Sequence, residues 1–134
     1  MADTDTPAPT INILVAEDEA AVREFITRGL GSVAAERGYT ITAVEDGLQA
    51  LEKLAEEGVS YQLLITDIVM PQMDGIALAL KVSRDYPDTR IIMISGYADA
   101  RAHAHNMDAL IHFIMAKPFT LQELIDQVAS ALKD

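Results

Sequence analysis

Short runs of branched apolar residues recur five times along the chain, each closed by a polar turn. Between them, apolar residues return at helical spacing, so strands and helices are predicted to alternate. The first run is Ile11-Asn12-Ile13-Leu14-Val15-Ala16, followed at once by Glu17-Asp18-Glu19. Ala21, Val22, Phe25, Ile26, Leu30 and Val33 then mark a helix beginning near Asp18 or Glu19. Gly29, Gly31 and Gly38 leave its far end open, with a break at Gly29-Leu30-Gly31-Ser32 as one reading.

Tyr39 to Val44 alternates and predicts a second strand, and Leu48, Leu51, Leu54 and Ala55 predict a second helix ending near Gly58. Tyr61 to Thr66 is the third strand, with Leu63-Leu64-Ile65-Thr66 running straight into Asp67. Such an uninterrupted apolar run fits a strand buried on both faces. Ile76 to Tyr86 predicts a helix stopped by Pro87, apolar nearly all round, which implies either deep burial or a partner face. Arg90 to Ser95 is the fourth strand, Ala98 to Asp108 a weak helix rich in alanine, and Leu110 to Ala116 the fifth strand. Thr120-Leu121-Gln122-Glu123 reads as a capping box. Leu121, Leu124, Ile125, Val128 and Leu132 form the stripe of the last helix. Five strands alternating with five helices predict a parallel sheet covered on both faces.

Composition narrows this picture. At 134 residues, half of them apolar, the chain has one domain's worth of core. Residues 1–10 have neither a positive start nor an apolar centre and are expected to be a flexible lead-in to a domain over 11–134. The absence of cysteine excludes disulfides and thiolate metal sites. No run is long enough for a membrane span, so a cytoplasmic protein is expected. The net charge of −11 leaves no basic face for phosphate backbones, so neither nucleic acid nor membrane is expected as a partner. Nothing after Lys133 leaves room for an output domain, so a stand-alone domain is expected.

The alternation also collects chemistry at one edge of the sheet. Ligands of open α/β sheets gather at the carboxyl ends of the strands. There the first strand ends in Glu17-Asp18, the third in Asp67, the fourth in Ser95 and the fifth in Lys117. Singly, each has an ordinary explanation: a helix-end charge, a turn, a hydroxyl bonded to nearby backbone. Jointly, crowded carboxylates suggest a hard divalent cation, Mg²⁺, held by Asp18 and Asp67. Val69 would offer its backbone carbonyl and Glu17 would act through water. Asp67 could then accept a phosphoryl group, with Lys117 supplying positive charge and Ser95 a hydrogen bond.

Together these residues resemble a response-regulator receiver domain of two-component signalling. The resemblance runs from about Ile11 to Leu132. It rests on Leu14 to Glu19, on Leu63 to Gly75 with its Asp-x-x-Met-Pro-x-Met-Asp-Gly pattern, on Ile94-Ser95-Gly96, and on Lys117-Pro118-Phe119. It implies a flavodoxin-like doubly wound sheet of strand order 2-1-3-4-5. It also implies a phosphoryl group passing to Asp67 from a histidine kinase or histidine phosphotransferase, and a cis Lys117–Pro118 bond. The switched protein partner would bind the surface of the fourth helix, fifth strand and fifth helix.

Two positions depart from the family pattern. The inward-turning aromatic expected three residues before the lysine is Ile114, and Tyr97, after Ser95-Gly96, is the candidate replacement. Within the family, Ile76 to Leu80, Ser95 to Asp99 and Asn106 to His112 are similar to a stand-alone subgroup that acts as a phosphorylation-controlled adaptor for regulated proteolysis.

Competing readings are a shuttle in a phosphorelay, a metal-dependent phosphatase with Asp67 as nucleophile, and a flavin carrier. A phosphatase would need an acid/base carboxylate where Val69 stands. A flavin phosphate would meet Glu17-Asp18-Glu19. A switch without substrate turnover, with only self-phosphotransfer and slow autodephosphorylation, is therefore expected. His103, His105 and His112 lack the spacing of a metal pair.

Overall fold

The structure, a computed structural model, describes residues 10–96 and 113–133. Its elements in order are β1 (Ile11–Ala16), α1 (Ala20–Arg37), β2 (Tyr39–Val44), α2 (Gly47–Leu54), β3 (Leu63–Asp67), α3 (Gly75–Asp85), β4 (Arg90–Gly96), β5 (Phe113–Lys117) and α4 (Leu121–Leu132). The expected helix over Ala98 to Asp108 lies outside the described residues, as do Tyr97 and the three histidines.

All pairings are parallel and the strand order is β2-β1-β3-β4-β5, the flavodoxin-like order. Strand alternation sorts the core onto two faces. Leu14, Leu64, Ile91 and Met93 face one side, under Ala50 and Leu54 of α2 and Leu78 and Val82 of α3. Ile13, Val15, Ile65 and Ile92 face the other, under Ile26 and Leu30 of α1 and Leu124 and Val128 of α4. The whole of β3 is buried, as an uninterrupted apolar run requires of a central strand.

The glycines of α1 do not break it: the helix runs on to Arg37 and ends where Gly38 adopts φ 75°, its N–H donating to the Ala34 carbonyl. Gly29 has a packing role instead, because a Cβ there would lie 2.7 Å from Leu121 Cδ1 of α4. α3 is buried on one face only, through Leu78, Ala79 and Val82, while Leu80 is half exposed. On α4, Leu124, Val128 and Ala131 are buried, and Leu121 stands at the exposed margin of the stripe. Both halves of the capping box form: Thr120 Oγ1 accepts from the Glu123 amide at 3.0 Å, and Glu123 Oε1 from the Thr120 amide at 2.8 Å. The far end of α4 is held by Arg90, which donates to the Ala131 and Lys133 carbonyls at 3.1 Å each.

The turn after β3 is closely packed against the end of that strand. Asp74 Oδ1 accepts from the Ala77 amide at 2.8 Å and caps α3. The Gly75 amide donates to the Ile68 carbonyl at 2.7 Å, drawing the start of α3 onto the end of β3. A Cβ at Gly75 would collide with the Asp67 carbonyl. Gly75→Ala is therefore expected to cost about 2–3 kcal/mol, because backbone rather than a flexible side chain would have to move. Gly31→Ala, whose Cβ would meet nothing within 4 Å, is expected to be neutral or to stabilise by about 0.5–1 kcal/mol. Chemical denaturation of both variants checks the contrast.

Candidate functional site at the carboxyl edge of the sheet

The parallel register delivers the chemistry to one edge. Asp67 is the last residue of β3 and pairs with Ile94, so Ser95 stands one residue further along β4. Gly96 pairs with Lys117, the last residue of β5. Glu17 follows β1 directly, its amide donating to the Val44 carbonyl at 3.1 Å. The Lys117–Pro118 peptide is cis, as the resemblance implied.

The Lys117 ammonium stands among three carboxylates. It is 2.9 Å from Asp67 Oδ2, 3.3 Å from Glu19 Oε1 and 3.6 Å from Glu17 Oε1. Asp67 and Glu17 are buried, whereas the Glu19 side chain is 62% exposed and marks the mouth of the site. Asp67 Oδ1 accepts more weakly from the Val69 amide, at 3.4 Å. Glu17 Oε2 accepts from the Glu19 amide at 3.1 Å, but Glu17 Oε1 is buried without a hydrogen-bond partner. Arg23 of α1 pins the acidic loop, donating to the Glu17 carbonyl at 2.8 Å and the Asp18 carbonyl at 3.5 Å.

Burial lifts the Glu17 carboxyl from its ordinary 4.5 to about 7, and the Asp67 charge adds to the lift. The backbone bond from Glu19 and the nearby Lys117 pull the other way without cancelling it. For Lys117, burial is the largest single influence and disfavours the charge. The Asp67 hydrogen bond and charge, joined by Glu17 and Glu19, outweigh it, so the ammonium titrates above its ordinary value.

Glu17, Glu19 and Asp67 bring carboxylate oxygens within 4.8 Å of one another, a grouping able to hold a metal ion. The donor set fits a hard divalent cation, being all oxygen with one buried and unbonded. Among the residues singled out from the sequence, the structure brings Glu17, Asp67 and Lys117 into contact. Asp18 is exposed and its carboxylate stands outside this grouping, with Glu19 in its place. Val69 is exposed at the rim. The Ser95 hydroxyl is buried and donates to the neighbouring Gly96 carbonyl at 3.0 Å. Ile114 pairs with Met93 and packs on the α2–α3 side of the sheet. Glu19 carried no periodic signal in the sequence, because the segment after β1 is neither strand nor helix and no repeat assigns its side chains a face.

Beside Lys117 lies an apolar groove of about 460 Å³, lined by Ala21, Val22, Phe25, Pro118 and Phe119. Phe25 and Phe119 meet edge to face at 5.7 Å between centroids. No helix among the described residues is long and apolar enough to cross a membrane.

A doubly wound five-stranded sheet with an acidic cluster and a lysine at its carboxyl edge defines the receiver class of α/β proteins. Residues 13–129 match the response regulator receiver domain family, and the chain belongs to it. It is 36% identical over 120 residues to the response regulator receiver protein CpdR of Brucella abortus, covering 90% of this chain and 95% of that protein. It is also 38% identical over 122 residues to the sensor kinase CckA of the same organism, covering 90% of this chain but only 12% of the kinase. Among solved structures, the response regulator protein TrrA of Thermotoga maritima in complex with Mg²⁺ and BeF aligns with a TM-score of 0.76. The two are 30% identical, and the alignment covers 92% of this chain and all of that one.

The raised Glu17 pKa has a stability consequence. Between pH 4.5 and about 7 the folded chain keeps a proton that the unfolded chain releases. Stability therefore falls as pH rises through that window, and the full cost of the buried charge stands above it. In metal-free buffer at pH 8, Glu17→Gln is expected to be more stable than the parent by about 1–3 kcal/mol. The gap should close as the pH approaches 4.5. Denaturant melts of both proteins at pH 5 and pH 8 check this.

Proposed function

We propose that the chain is a phosphoacceptor switch of two-component signalling, loaded at Asp67 by a histidine kinase or histidine phosphotransferase. The observation that carries this reading is the 2.9 Å contact between the Lys117 ammonium and the buried Asp67 carboxylate. One Asp67 oxygen attacks the phosphorus of a phosphohistidine. The phosphorus–nitrogen bond breaks with its electrons on the imidazole, whose other nitrogen already carries a proton. The product is an acyl phosphate on Asp67.

Mg²⁺ is the proposed cation. When bound it neutralises phosphoryl charge, and Asp18, Glu17, Asp67 and the Val69 carbonyl are its proposed holders, with Glu19 close by. Lys117 orients Asp67 and offsets the added negative charge. Ser95 is proposed to turn its hydroxyl from the Gly96 carbonyl to the phosphoryl group. Burial keeps bulk water from Asp67. The apolar groove beside Lys117 supports a protein as donor, since a small anion would gain nothing from it.

The output is a change in protein binding rather than substrate turnover, because Val69 brings no second carboxylate to work as acid or base. Similarity to CpdR over nearly its whole length favours a stand-alone cytoplasmic adaptor, with a role in regulated proteolysis as the particular form. Similarity to a segment of CckA keeps a phosphorelay shuttle as the second reading. The proposed partner surface is that around β5 and α4, with Ile114 and Tyr97 as switch positions.

Incubation with acetyl phosphate and magnesium is expected to add one phosphoryl group, seen by intact-mass spectrometry. Asp67→Asn and chelator-treated parent should stay unlabelled. Labelling of Asp67→Asn equal to that of the parent would refute the assignment. Affinity capture with phosphorylated parent and with Asp67→Asn then separates adaptor from shuttle by what each retains.

A further inference from the structure

Glu19 occupies the N-cap position of α1, where a side chain ordinarily accepts an amide of the first turn, yet it makes no cap bond. Its carboxylate reaches instead to Lys117, 98 residues along the chain and 3.3 Å away. The two other carboxylates on that ammonium are buried, and Glu19 alone is largely exposed. A phosphoryl group that reaches Asp67 alongside Glu19 meets a negative charge there. It also competes with that charge for the Lys117 ammonium.

We propose that Glu19 is an electrostatic gate, a positioning residue that slows phosphoryl entry by holding Lys117 and repelling anionic donors at the mouth of the site. The inference rests on the reading of Asp67 as phosphoacceptor. The Glu19 carboxylate makes no cap contact with α1 and is committed to Lys117 instead. Asp67 stays ion-paired in the resting state, so a metabolite carrying a phosphoryl group meets both a repelling charge and an occupied lysine. A protein donor that covers the mouth can pull Glu19 aside through contacts of its own, which a small molecule lacks. The gate thus discriminates between donors by charge and by size.

The test uses the full chain at saturating magnesium with two small donors, dianionic acetyl phosphate and phosphoramidate, which carries less negative charge. In the acetyl phosphate reaction an Asp67 oxygen bonds to phosphorus and the phosphorus–oxygen bond breaks, releasing acetate with the electron pair. Glu19→Gln is expected to raise the second-order labelling rate with acetyl phosphate about threefold to tenfold. The gain should come mainly through KM, and should be at least twice as large as with phosphoramidate. Salt should speed the parent and Glu19→Asp, which keeps the charge, more than it speeds Glu19→Gln.

Equal or slower labelling of Glu19→Gln overturns the gate, as does a gain that is the same for both donors. A Glu19→Asp that has lost its salt response overturns it too. Absence of Asp67-dependent label in the parent takes down the phosphoacceptor reading and the gate with it. Labelled parent with unmoved Glu19 variants removes the gate alone.

Discussion

A lysine ammonium shared by three carboxylates is the constraint on which the rest of this molecule turns. Like charges about 4 Å apart repel by roughly 4 kcal/mol at an effective dielectric near 20, so the cluster cannot form without compensation. Compensation arrives from β5, the strand most distant from β1 and β3 in sequence, and only a parallel sheet in this order places its end there. The sheet must therefore be complete before the repulsion at the site is even partly offset. The surrounding devices serve the same end. Arg23 fixes the backbone beneath Glu17 and Asp18, and Gly75 lets α3 begin against the carbonyl of Asp67. Burial of Glu17 is left only partly offset, which is why its carboxyl holds a proton up to about pH 7. A cation held by these carboxylates would relieve the remaining repulsion, which would link the stability of the fold to its proposed chemistry.

Most of the architecture was legible in the sequence because hydrophobic period and turn chemistry agreed. β2 spans Tyr39–Val44 as its alternation predicts, and the capping box at Thr120 forms both of its hydrogen bonds, since its partners lie three residues apart. The break considered at Gly29–Ser32 was wrong for a tertiary reason. α4 packs directly on Gly29, and the packing of Leu121 and Leu124 against it favours an unbroken helix over its intrinsic weakness there. Of the two expectations for α3, deep burial all round is not met: one face is buried and Leu80 stands outward. Composition could not decide this, because alanine is at home on either side of a helix.

The site was legible as a set of residues and less so as a geometry. Asp67 and Lys117 could be assigned to strand ends by counting, and they meet. Which acidic residue after β1 turns inward could not be counted the same way, because that segment is neither strand nor helix. Its backbone directs Glu17 and Glu19 to Lys117 and leaves Asp18 exposed. Ser95 shows a different limit. Register puts it beside Asp67, but a hydroxyl rotates, and here it satisfies itself on the Gly96 carbonyl.

The same charge balance says how a modification at Asp67 could be felt elsewhere. Replacing a singly charged carboxylate by an acyl phosphate of about −1.5 to −2 changes what Lys117 must neutralise. Lys117 ends β5, and Ile114 of the same strand packs into the core on the α2–α3 side, opposite Met93. A pull on the lysine is thus a pull on a strand whose side chains are core on both faces, Met115 being buried on the other. Close-packed interiors do not stretch to absorb such a pull; they hold or they repack. An aliphatic at Ile114 cannot carry a polar tip between inside and outside as an aromatic hydroxyl does. On the proposed reading, the response must then lie in how β5 and its neighbours sit together rather than in one ring turning. Such a shift is two-state in character, and a bias of a few kcal/mol from the phosphoryl group is enough to drive it.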